Sequence, residues 1–387
     1  MEHLVNRSVA DIQISGIRKI SNLVSQYQDA LTLTIGQPDF PTPAHILEAG
    51  HRAIAGNKTG YTMNAGLIEL RQAAAMFVQG KYGLLYDPKE EIIVTNGASE
   101  AVDTTLRTIL GPDTEVVLPG PIYPGYEPIV RLCGATPVYV DTTGNDFKLT
   151  ADLLEKVLTP KTRCVVLCYP SNPTGCVLSR DELADIARLL ADKDIFVLSD
   201  EIYSELCFDA PHVSIASFPE MREKTIVING LSKSHAMTGW RIGFTFAPAN
   251  ITRHMLKVHQ YNSTCASSIS QHAAIEALTN GIDDALPMKQ AYATRRDYVL
   301  QRLATMGIDY VKPQGAFYVF PSIRRFDLSS MTFAMRLLEE RRVAVVPGDA
   351  FSSYGEGYIR ISYAYSMDVL EQALDRMESF IQSITKK

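Results

Sequence analysis

The chain has 387 residues, 46% hydrophobic and 21% charged, with a formal net charge of −6. That is enough apolar material for more than one core, and the absence of any basic run argues against a nucleic-acid track. No apolar stretch is long enough to span a membrane, and the first residues, MEHLVNRSVADIQISG, lack the apolar centre of a signal peptide.

Residues 1 to about 30 carry Val9, Ile12, Ile14, Ile17, Ile20 and Val24 at roughly helical spacing, which predicts an amphipathic arm or helix. The next stretch, LTLTIGQPDFPTP (31–43), holds three prolines and is read as extended and irregular. It is either a plain crossing loop or a segment that brings backbone close to a ligand at Gly36, where no Cβ obstructs approach. Helices are predicted over 44–55 and 67–82, with a turn-rich segment, KTGYTMNAG, between them that carries Tyr61.

A short buried strand over 92–95 then runs through Asn96, Gly97, Ala98 and Ser99 into a helix over 100–110. Such a helix start offers free backbone N–H groups and a positive dipole end, a place for a phosphate, although many strand-to-helix turns contain glycine for no such reason. Further strands are predicted at 115–118, 138–140, 164–168 and 195–198, with a helix over 181–190. They end in the tyrosine-bearing cluster PGPIYPGYEP (Tyr123, Tyr126), in YPSNPTG (Asn172) and in SDEIY (Asp200, Tyr203).

Another apolar strand, 225–228, is broken by Asn229 and Gly230 and followed by Lys233 among small residues, with Ser232 before it and Arg241 eight positions on. A lone lysine there is ordinarily a solvated one. It is also where an open α/β sheet holds a ligand, and an amine in that place can form a Schiff base with an aldehyde cofactor. Strands alternating with helices and ending in polar residues predict a mostly parallel sheet with helices on both faces. An Asp such as Asp200 at a strand end is commonly a helix cap or half of an ion pair. Several such groups gathered at one sheet edge are harder to explain that way.

From about residue 285 the pattern changes to a smaller α+β unit. A long helix is expected over 284–306, strands at 309–312, 315–320 and 343–346, and a last helix over 368–384. In 358–362 the alternation points Ile359 and Ile361 one way and Arg360 the other, toward solvent or toward a substrate carboxylate. The six cysteines form no CxxC pair and are read as reduced thiols of a cytoplasmic protein. The eight histidines form no ligand motif, so no metal is expected.

SNPTG, SDEIYSE and SKSHAMTGWRIG together resemble the class I aminotransferases of the aspartate aminotransferase fold, enzymes that use pyridoxal 5′-phosphate. GQPDFPTP, YTMNAG, TNGASEA, PGPIYPGYEP and YIRISYA extend the resemblance, in order, over nearly the whole chain. GLSKSHAMTGWRIGF, VLSDEIYSEL and LPGPIYPGYEP carry a nearer likeness to members acting on N-acetyl-LL-2,6-diaminopimelate in lysine biosynthesis. The resemblance implies an α/β fold of type I, with a large cofactor-binding domain over 44–285, a small α+β domain over 286–387, and an arm, 1–43, joining the small domain.

It also implies the site. Lys233 would bind the cofactor and move the proton at Cα, and Asp200 would pair with the ring nitrogen. Tyr203 and Asn172 would meet the ring oxygen, and Tyr123 would stack on the ring. Gly97, Ala98, Ser232 and Arg241 would hold the phosphate, joined by Tyr61 from a second subunit, hence a homodimer. Arg360, with Gly36 and Asn172, would take the substrate α-carboxylate. The expected partners are an amino acid and a 2-oxo acid, the 2-oxoglutarate/glutamate pair among them, exchanged by a ping-pong route.

Two other readings use the same cofactor: a C–S β-lyase on the same fold, and a non-catalytic regulator with a DNA-binding helix-turn-helix ahead of it, for which the sequence leaves no room. Aspartate or aromatic donors also remain open. For the distal end of the substrate the candidate stretches are 14–18 and 261–270, with no residue assigned.

Overall fold

The computed structural model describes residues 1–14, 16–27 and 29–385. The arm forms two helices, α1 (Arg7–Ala10) and α2 (Gly16–Val24), and a two-residue strand, β1 (Leu31–Thr32). Helices α3 (Ala44–Ala55) and α4 (Ile68–Tyr82) follow, α4 ending on Gly83 in the left-handed conformation. Then come β2 (Ile92–Thr95), α5 (Ala98–Ile109), β3 (Glu115–Gly120), α6 (Tyr126–Leu132), β4 (Thr136–Asp141), α7 (Ala151–Glu155) and β5 (Thr162–Cys168). Helix α8 (Arg180–Leu190) starts in a reciprocal cap: Ser179 Oγ accepts from the Glu182 amide, and the Glu182 carboxylate accepts from the Ser179 amide. Strands β6 (Phe196–Asp200) and β7 (Thr225–Gly230), the one-turn helix α9 (Leu231–Ser234), β8 (Gly243–Phe246), α10 (Ala249–Ser263) and α11 (Ser268–Thr279) complete this part.

These strands make a seven-stranded sheet in the order β2-β8-β7-β6-β5-β3-β4. Only β8 runs against its neighbours, so Thr95, Gly120, Cys168, Asp200 and Gly230 all finish on one edge. The strands are apolar on both faces because helices cover both. Val116, Leu118, Cys164, Val166, Leu198 and Ile226 pack on one side with Leu106 and Met255. The residues between them, Val117, Val165, Leu167 and Val197, pack on the other with Ile186 and Leu190. That alternation is the period of two that a pleated strand imposes.

The remainder consists of α12 (Ala285–Thr305), β9 (Tyr318–Val319), α13 (Ser330–Arg341), β10 (Val343–Ala344), β11 (Val346–Pro347), β12 (Ile359–Ser362) and α14 (Met367–Thr385). Strands β11, β12 and β9 form an antiparallel sheet over a core that includes Leu303, Phe317, Phe333, Tyr363 and Phe380. Strand β1 pairs in parallel with β10, Leu31 opposite Val343.

The structure differs from the sequence reading in several places. Residues 309–312 form no strand, and 315–320 shrink to Tyr318–Val319, with Gly315 in an isolated bridge to Cys207. The 343–346 run divides into two strands with different partners. Asn229 and Gly230 do not break β7, which continues through them because β8 supplies partners opposite both. Strand β8 itself was not expected. Of the two directions left open for Arg360, bulk solvent is excluded: all four residues of β12 are buried. Lys386 and Lys387, inside the expected span 286–387, and Gln28, inside 1–43, lie outside the described residues.

Candidate active site

A cavity of about 660 Å³ opens at the strand-end edge. Its lining brings together Gly36, Ala98, Tyr123, Asn172, Asp200, Tyr203, Ser232, Lys233, Arg241 and Arg360 from segments far apart in sequence. Gly97 lies directly against Arg241: a Cβ built on Gly97 would fall 2.5 Å from Arg241 Nη2. Tyr61 is outside the cavity, 89% exposed. Ser15, in the stretch 14–18, lies outside the described residues. Ile17 and Arg18 of that stretch line the cavity, and none of 261–270 does.

Lys233 reaches the cavity from the single turn of α9, and its Nζ donates to the Gly36 carbonyl at 2.5 Å. Burial, then the guanidiniums of Arg360 and Arg241, push its amine down to about 8, against the opposing pull of Asp200. Amines tuned in this way deprotonate near neutral pH.

Asp200 ends β6. Its Oδ2 accepts from Tyr126 Oη at 2.6 Å and its Oδ1 from the Ile202 amide at 3.2 Å. Burial pushes its carboxyl up, with the hydrogen bonds from Tyr126 and Ile202 working the other way. A buried carboxylate of this kind is best satisfied by a cation. Behind it, Glu201 accepts hydrogen bonds from Ser199, Ser214 and His212, which fixes the turn that follows β6.

Arg360 is 1% exposed. Its Nη1 donates to Asn172 Oδ1 at 2.8 Å and its Nη2 to the Thr34 carbonyl at 2.5 Å, while Nε is buried without a partner. Its guanidinium lies 4.4 Å from the Tyr318 ring centre and 5.0 Å from that of Phe351. Among the described residues no carboxylate forms an ion pair with it, so the charge is uncompensated until a ligand brings one. Tyr203 Oη and Tyr318 Oη are 2.8 Å apart.

At the other end, Gly97 precedes α5 with φ +81°, a conformation in which a side chain is strained. The first amides of α5 thereby face the cavity side together with Ser99, Ser232 and Thr238. Arg241 is anchored by Nη1 on the Thr238 carbonyl and Nη2 on the Asn96 carbonyl. Glu100, in the first turn of α5, secures Asn96 through its amide and its side chain. Burial opposes ionisation of Glu100, but hydrogen bonds from His259, Ser263 and Asn96 hold it down at about 2. His259 turns its other nitrogen to the Asn64 carbonyl, in the loop that carries Tyr61.

Tyr126, Tyr318, Ser99 and Thr238 belong to the site and were not assigned from sequence. The signal for Tyr126 was present, since it shares the strand-end cluster with Tyr123, but its pairing with Asp200 spans 74 positions. The donor set fits pyridoxal phosphate: an amine of lowered pKa, a helix start with an arginine for the phosphate, and, among the described residues, an acid with no ion-pair partner and a guanidinium with no carboxylate partner.

Residues 28–377 match the family described as aminotransferase class I and II. The chain is 61% identical over 381 residues to a probable N-acetyl-LL-diaminopimelate aminotransferase of Bacillus subtilis, covering 98% of this chain and 96% of that one. It is 42% identical to aromatic-amino-acid aminotransferase 2 of Thermococcus litoralis, over 95% of this chain and 96% of the other. Among solved structures, aspartate aminotransferase from Thermus thermophilus with maleate superposes with a TM-score of 0.92 at 36% identity, covering 97% and 99% of the two chains.

Proposed function

The chain belongs to the class I and II aminotransferases and is a pyridoxal phosphate-dependent transaminase, and from that premise we propose that its amino donor is N-acetyl-LL-2,6-diaminopimelate. The nitrogen passes to 2-oxoglutarate, giving glutamate, in a step of lysine biosynthesis. The observation that carries this reading is the 61% identity, nearly end to end, to the probable N-acetyl-LL-diaminopimelate aminotransferase of Bacillus subtilis.

When bound, the cofactor supplies an aldehyde carbon with which amines condense and a ring that accepts the electrons of a broken Cα–H bond. Asp200, kept in place by Tyr126, would hold the ring nitrogen protonated. Tyr203 and Asn172 would meet the ring oxygen, and Tyr123 would stack on the ring. The amides at Gly97 and Ala98, with Ser232 and Arg241, would hold the phosphate. Arg360 takes the α-carboxylate, aided by Asn172 and the Gly36 backbone, which sets the Cα–H bond against the ring. Lys233 Nζ, freed for the purpose, would hold and move the proton at the substrate Cα, a task suited to an amine brought near neutral pH.

Tyr61, exposed in the single chain, reaches the phosphate in a second copy, so the working form is a homodimer. Residues 44–285 are the large domain and 286–387 the small one, with 1–43 as the arm; the pairing of β1 with β10 supports that division. Six free cysteines support a reducing compartment, the cytoplasm. Among the described residues no helix is long and apolar enough to cross a membrane.

The test is a donor panel with 2-oxoglutarate and purified protein. Glutamate should appear fastest with N-acetyl-LL-2,6-diaminopimelate. A tenfold preference for aspartate or an aromatic amino acid would replace this donor, and pyruvate with ammonia from cystathionine, without glutamate, would make the protein a lyase. Lys233→Ala should lose turnover by at least about a thousandfold, together with any visible absorption that borohydride fixes to the chain.

A further inference from the structure

Tyr318 lines the cavity and is 1% exposed, but in the mechanism above it has no task. Its Oη lies 2.8 Å from Tyr203 Oη, and among the described residues each hydroxyl makes only this hydrogen bond. Either oxygen can donate across that gap. A phenol carries one proton, so the cofactor decides the direction. Once Tyr203 gives its proton to the ring oxygen, it can only accept from Tyr318. Burial pushes both phenols up, so both keep their protons at neutral pH.

The pair is held from several sides. Tyr203 follows β6 of the seven-stranded sheet. Tyr318 stands in β9 of the antiparallel sheet, opposite Ser362 of β12, the strand that carries Arg360. The rings of Phe317 and Tyr318 are nearly perpendicular to that of Tyr203, with centres 5.4 and 5.9 Å away. Tyr318 Oη also abuts Gly36, where a built Cβ would collide with it. The Arg360 guanidinium lies over the Tyr318 ring, and its charge, opposing the effect of burial, makes the hydroxyl a better donor.

We propose that Tyr318 is a positioning residue: it donates to Tyr203 and thereby sets how firmly Tyr203 holds the cofactor's ring oxygen. The inference rests on the pyridoxal phosphate reading of the cavity. A hydroxyl that accepts one hydrogen bond donates a stronger one. A stronger donor draws more charge from the ring oxygen. That eases loss of the proton which this oxygen shares with the Lys233 nitrogen when the cofactor is bound. The visible spectrum changes as that proton leaves, so the midpoint pH of the change is measured without turnover.

Tyr318→Phe keeps the ring and its packing under Arg360 and removes only the hydroxyl. In protein loaded with pyridoxal phosphate, the midpoint should rise by about 0.5 to 1 pH unit, as the loss of one neutral hydrogen bond implies. Tyr203→Phe should raise it further. Adding Tyr318→Phe to that variant should change nothing more, because the effect passes through Tyr203. Tyr318→3-fluorotyrosine, a stronger donor of almost the same shape, should move the midpoint down, a direction that damaged packing does not produce. An unchanged midpoint in Tyr318→Phe, shifts that add in the double variant, or a rise with fluorotyrosine overturns the proposal. If these midpoints move as expected but no amino donor is transaminated, the transaminase reading fails and the role of Tyr318 stands. A chain that takes up no pyridoxal phosphate and shows no visible band sinks both.

Discussion

Lys233 and Asp200 face the same cavity but are tuned by different neighbours. Two guanidiniums and burial favour the neutral amine, whereas Asp200 is buried beside one phenol and one amide. A protonated amine has no lone pair to offer the cofactor aldehyde. Below about 8, the fraction of neutral Lys233 falls tenfold per pH unit. The rate at which cofactor-free protein acquires a visible band on mixing with pyridoxal phosphate should therefore rise with pH and level off above about 8. A rise that continues toward the ordinary lysine range would deny the lowered value. Lys233, Asp200, Asn172 and Tyr203 were legible in the sequence because each closes or follows an apolar strand. Tyr126 and Tyr318 were not, because a hydroxyl's partner is set by folding. The burial of Arg360 was hidden for the same reason: strand alternation gives two faces but does not say that both are covered.

At the scale of elements, the start of α5 is the most constrained piece of the site. Gly97→Ala sets a Cβ against Arg241 and strains a φ of +81°. Gly83→Ala, at φ +70° with nothing within 4 Å, imposes a similar backbone cost of about 1 kcal/mol without touching the cavity. Both variants should unfold at somewhat lower denaturant concentration. Only Gly97→Ala should release cofactor, its dissociation constant rising about tenfold or more, as the loss of one charge-assisted phosphate contact implies. Equal cofactor affinity in the two variants would remove Gly97 from the cradle. Strands β2 to β7 were readable as short apolar runs between helices. Strand β8 was missed because GFTF is four residues long and follows a loop rich in other signals. The strands of the C-terminal part were misplaced because most pair over only two residues, too few for a periodic pattern.

For the whole molecule, the alternating order of strands and helices made the mostly parallel sheet legible, while the role proposed for Tyr61 requires a second copy, which no single-chain pattern describes. The dimer has a direct test. Lys233→Ala and Tyr61→Phe each damage one component of the site, and mixed dimers place both defects in one site and leave the other intact. Mixing the two variants should restore activity toward a quarter of the parent value, an estimate from random exchange with half of the dimers hybrid and one sound site in each. No recovery under conditions of proven exchange would place Tyr61 away from the phosphate. A final consequence follows from residues 31–36. The amides of Leu31 and Leu33 bind the carbonyls of Arg342 and Ala344, Thr34 holds Arg360, and Gly36 holds Lys233. This strap joins both chemical ends of the cavity to the sheet edge at β10. When the amine leaves Gly36 for the cofactor, the strap loses an anchor, and deuterium uptake at Leu33 should quicken. An amide that touches no ligand would then act as the molecule's own gauge of whether its vitamin is aboard.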